Sequence, residues 1–101
     1  MAGKHQSVKK SKRVPKKIDD MLDQIHEMND KALFPTGYEL AVIGYVERFG
    51  MEPLVLVDRD KMLQMLVDEG MTYEESVEYY EFNIIGAWMG EGTPCFATLI
   101  K

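Results

Sequence analysis

The chain is poor in the residues that most often carry chemistry. Cys95 is its only cysteine, so no internal disulfide can form and a reducing compartment suits it. No apolar run approaches the ~18 residues of a membrane helix. The basic N-terminus lacks the apolar stretch of a secretory signal, which makes the cytoplasm the expected location. Histidine occurs only at His5 and His26, and His26 with Cys95 offers no zinc-ligand spacing. From residue 18 onward Ser76 is the sole serine, and no base is placed beside it. These shortages argue against catalysis, and the expectation is a non-enzyme with no metal and no cofactor.

Residues 1–17 lack acidic and aromatic side chains altogether. They carry seven cations instead: Lys4, Lys9, Lys10, Lys12, Arg13, Lys16 and Lys17. Residues 18–101 hold five basic groups against all 17 acids, a net −12, so the formal charge of −5 is a +7 tail on an acidic body. The tail has too little apolar surface to offset its ordering entropy, and residues 1–17 read as disordered. Residues 18–101 read as one helix-rich α+β domain, large enough to fold without metal or disulfide help.

Within that domain Ile18, Met21, Leu22, Ile25 and Met28 form one helical stripe, with Asp19, Asp20, Asp23 and Glu27 opposite. Phe34-Pro35-Thr36-Gly37 is a break. Thr36 and Glu39 have capping-box spacing, Gly50 suits a C-cap, and the segment between them reads as a second helix despite its Val and Ile content. Pro53–Val57 is a short buried strand. Asp58 then caps a helix over 59–69 that Gly70 ends. Thr72 and Glu75 open another helix, with Val77, Tyr80, Ile84 and Trp88 on its inner face. Gly90–Pro94 is a turn, and residues 95–100 close the chain as a strand. The expected order is α-α-β-α-α-β around a small two-stranded sheet. The two strands can pair in parallel. The last strand would be an exposed edge, and a homodimer is one way to cover it.

The fourth helix carries most of the information. Glu74, Glu78 and Glu81 share a face, where they could hold a divalent cation but read more simply as a solvated acidic surface. Asn83 is polar in an apolar stretch and needs partners, since leaving it unsatisfied costs about 1–3 kcal/mol. The turn at Gly90–Thr93 is the expected one, making Asn83 and Thr93 a structural polar centre. Trp88 reads as core or interface. Eight methionines suit either gap filling or an adaptable binding surface.

Gly70-Met71-Thr72, Glu74-Glu75, Tyr79-Tyr80-Glu81-Phe82-Asn83, Gly86-Ala87-Trp88, Gly90 and Thr93-Pro94 form a pattern. It resembles a group of short uncharacterised proteins encoded by bacteriophages and bacterial genomes. The stretch from Glu47 to Leu63 is similar as well. The resemblance covers about half the chain and implies a phage provenance rather than a mechanism.

Two functions fit these residues. One is an accessory protein that binds a host or phage protein, with Glu74, Glu78, Glu81 and Trp88 as contact residues. The other is a nucleic-acid-associated protein using Lys9, Lys10, Lys12, Arg13, Lys16 and Lys17. Such a tail, without aromatics, would bind phosphates without sequence preference.

Overall fold

The computed structural model describes residues 14–100. The elements run α1 (Lys16–Met28), a single 3-10 turn (Glu39–Ala41), β1 (Val42–Arg48), β2 (Met51–Asp58), α2 (Arg59–Asp68), α3 (Tyr73–Asn83) and β3 (Cys95–Ala97). The fold is α+β, with three helices and a small mixed sheet in the order β1-β2-β3. β1 and β2 are antiparallel, while β2 and β3 are parallel, as the long helical connection between them allows.

The expected second helix is a strand. Val42, Tyr45 and Val46 are β-branched or aromatic and pair antiparallel with β2, with Ile43 at a register shift between Val42 and Gly44, and Arg48 faces Met51 across a two-residue Phe49–Gly50 loop. Gly50 is not a helix cap. At φ 81 it supplies the left-handed residue of that hairpin turn. Glu39, expected in the first turn of a helix, begins only a 3-10 turn. Its carboxylate is buried and accepts from the Gly37 N–H at 3.0 Å. The sheet therefore has three strands rather than two.

The other caps hold. Asp58 Oδ1 accepts from the N–H groups of Asp60 (2.9 Å) and Lys61 (3.4 Å) and starts α2. Thr72 and Glu75 complete both halves of a capping box at the start of α3. That helix stops at Asn83, five residues short of the expected Trp88. The N–H groups of Ile84 and Ile85 both donate to the Tyr80 carbonyl, and the chain folds back so closely that a Cβ at Gly86 would lie 2.5 Å from the Glu81 carbonyl oxygen. The tail boundary also moves. Lys16 and Lys17 form the first turn of α1, and Val14 packs on the core, whereas the remaining tail cations lie outside the described residues.

The core gathers Leu22 and Ile25 of α1, Val55 and Val57 of β2, Met62, Leu63 and Leu66 of α2, and Tyr80 with Ile84. Three polar links lock it. Asn29, 6% exposed, donates from Nδ2 to the Pro53 carbonyl (3.0 Å) and accepts at Oδ1 from the Lys31 N–H (3.1 Å), which fastens the end of α1 to β2. Leu33 N–H donates to the Gly92 carbonyl at 2.9 Å, an approach so close that a Cβ on Gly92 would overlap the Lys31 carbonyl oxygen. Tyr38 Oη donates to Glu69 Oε1 (3.1 Å) at the end of α2. Burial, reinforced by the Glu69 charge and its hydrogen bond, pushes the Tyr38 phenol up to about 12.

Asn29→Ala leaves the Pro53 carbonyl without its donor, and urea unfolding will show a loss of about 1–3 kcal/mol. Gly92→Ala will lose a similar ~1–3 kcal/mol through overpacking against Lys31. The raised Tyr38 pKa stabilises the fold fully below pH ~10 and progressively less as pH rises toward about 12. Tyr38→Phe will flatten the fall in unfolding free energy across that window relative to the parent chain.

Candidate functional site

A groove of about 1010 Å³ opens where β2, β3 and the segment after α3 meet. Its position follows from a mismatch in strand length. β3 has three residues and covers only Leu56–Asp58, so the first half of β2 extends beyond it. Asn29, Leu54, Ala87 and Pro94 are buried residues in its lining. Ile85, Trp88 and Met89 also line it and stay exposed, with Trp88 at 73%. Charged Lys31, Arg48, Glu52 and Glu91 complete the wall.

Trp88 does not extend the inner stripe of α3. Val77, Tyr80 and Ile84 pack inward as expected, but the fold-back at Gly86 carries Trp88 off the helix and onto the groove. Asn83 ends α3 half-buried, and no hydrogen bond joins it to the Gly90–Thr93 turn among the described residues. Thr93 holds that turn by itself. Its Oγ1 accepts from the Met89 N–H (2.9 Å) and donates to the Gly90 carbonyl (2.6 Å), while its own N–H reaches the same carbonyl. The buried amide that sequence reasoning looked for is Asn29. Its signal was an Asn directly after the last apolar position of a helix, where that residue type commonly ends helices.

Glu74, Glu78 and Glu81 are exposed on one face of α3 and do not line the groove. None of the three makes an ion pair among the described residues. Three carboxylate oxygens within reach of one another occur instead on α1, where Asp19, Asp20 and Asp23 gather within 4.8 Å. Lys16 answers part of that charge by pairing with Asp20 at 3.1 Å. At the opposite side of α3, Arg59 lies 5.4 Å from the Tyr80 ring centre, and Tyr80 meets Phe96 edge-on. Burial raises the Tyr80 pKa, and the nearby guanidinium opposes the shift.

The scarce reactive groups are dispersed. Ser76 is buried and its hydroxyl donates to the Tyr73 carbonyl at 2.6 Å. His26 Nε2 sits 2.7 Å from the Asp30 carbonyl oxygen, with its ring edge-on to Phe34. Cys95 is half-buried and lines the groove without either of them. What the groove offers is apolar surface with a charged rim, the composition of a contact site. No helix among the described residues is long and apolar enough to cross a membrane.

Thr93→Ala removes both hydroxyl bonds of the turn and will cost about 1–2 kcal/mol in chemical denaturation, whereas Thr93→Ser will retain most of that stability.

No protein-family model matches the chain, and neither the curated proteins nor the solved structures include one similar to it.

Proposed function

We propose that this chain is a small non-enzymatic accessory protein, phage-encoded as its sequence resemblance implies, that acts by stoichiometric binding to a host or phage protein. The observation that carries this reading is the α3 face. Glu74, Glu78 and Glu81 stand exposed and unpaired among the described residues, on a helix anchored by a complete capping box. A rigid row of like charges steers an oppositely charged partner and speeds its encounter. The partner is therefore a protein with a basic patch, of the kind that otherwise holds nucleic acid, met in the host cytoplasm. Self-association belongs to the same reading, because β3 is a three-residue edge strand.

The test is retention of proteins from a phage-infected bacterial lysate by the immobilised full-length chain. A specific partner will be held at low salt, and the Glu74→Gln, Glu78→Gln, Glu81→Gln triple variant will weaken its binding by about tenfold or more. Equal retention by the triple variant would sink the α3 assignment. Capture of DNA near ~50 mM salt, lost steeply as salt rises, would move the function to the basic tail.

A further inference from the structure

The groove and the α3 face differ in charge, which separates their partners. The body carries a net −12, yet the groove is lined by two cations, Lys31 and Arg48, and two anions, Glu52 and Glu91. None of these four side chains makes an ion pair among the described residues. A basic partner has no reason to prefer this face over the acidic ones, and the +7 tail gains nothing there. A second copy, which must meet an identical surface, would be repelled by the acidic faces and can match charges here.

The shape points the same way. A two-fold interface needs a surface complementary to itself, with each projection matched by a recess on the same face. Phe49, at the tip of the β1–β2 hairpin, is 99% exposed and lies between Arg48 and Gly50, which both line the groove. The molecule thus carries a large apolar knob at the rim of its own apolar hole. Trp88, Ile85 and Met89 supply the aromatic and Met-rich surface that dominates contact sites. Strand addition is blocked at the exposed stretch of β2. Pro53 has no N–H, and its carbonyl is already taken by Asn29. The occupant of the groove must enter by its side chains.

We infer that a second copy of this chain docks at the groove, with Phe49 of each copy seated beside Trp88 of the other about a two-fold axis. The inference rests on reading the chain as an association module, but it uses a surface that the α3 contact leaves free. Trp88 is the only tryptophan, so its fluorescence reports the contact directly.

Sedimentation of the full-length chain up to ~1 mM will show a concentration-dependent dimer, and Trp88 emission will shift to shorter wavelength over the same range. Phe49→Ala and Trp88→Ala, both at exposed positions, will remain folded by circular dichroism and sediment as monomers. A chain carrying Lys31→Glu with Arg48→Glu, and one carrying Glu52→Lys with Glu91→Lys, will each be monomeric alone and will form a heterodimer when mixed. A parent chain that is monomeric throughout that range overturns the inference and leaves the groove to a different protein. A dimer insensitive to Phe49→Ala and Trp88→Ala overturns it as well. Either result leaves lysate binding through Glu74, Glu78 and Glu81 intact, so the α3 contact and the groove contact fail separately.

Discussion

The amide of Asn29 is the constraint from which the rest of the structure follows. It sits where α1 ends, nearly sealed from solvent, and reaches both across to Pro53 and back to Lys31. The first bond fixes the helix against the central strand. The second turns the chain so that Leu33 can meet Gly92 and hold the segment leading into β3. A buried amide confers this specificity because its partners have no water to replace them. Helix, sheet and C-terminal segment therefore converge on one polar atom group, and the groove is the space left around that convergence.

Charge then sorts the surface. The acids stand on the outer faces of α1 and α3, where capping, helix dipoles and solvation account for part of them. The groove balances its signs, with Lys31 and Arg48 against Glu52 and Glu91. On the functions proposed above, the two surfaces would make contact differently, the acidic face at long range and screened by salt, the groove at short range through apolar burial.

What the sequence revealed depended on how local the determinant was. Asp58, Thr72 with Glu75, and Gly70 act within a few residues: α2 and α3 start as read, and Gly70 lies just past the end of α2. The α+β class and the parallel pairing of the last strand were legible from element order. The segment after Gly37 misled because the same residues satisfy two local codes. Glu39 has capping-box spacing but is followed by a 3-10 turn rather than a helix, with its carboxylate accepting from Gly37, and the β-branched run pairs with a strand that only tertiary structure supplies. Trp88 read as core or interface on the inner face of a helix, and its exposed place on the groove was not legible, because the fold-back at Gly86 depends on backbone packing over α3. Asn83 drew attention for being polar in apolar company, while the amide that matters lay at a helix end.

Pro53 has a consequence for how this protein behaves when crowded. A sheet of three strands with a short last member would ordinarily be a template on which further chains stack, and an acidic body only slows that process. Here the open half of the central strand contains a residue with no donor and an acceptor already engaged. Backbone pairing of a further strand along this stretch is therefore interrupted at Pro53.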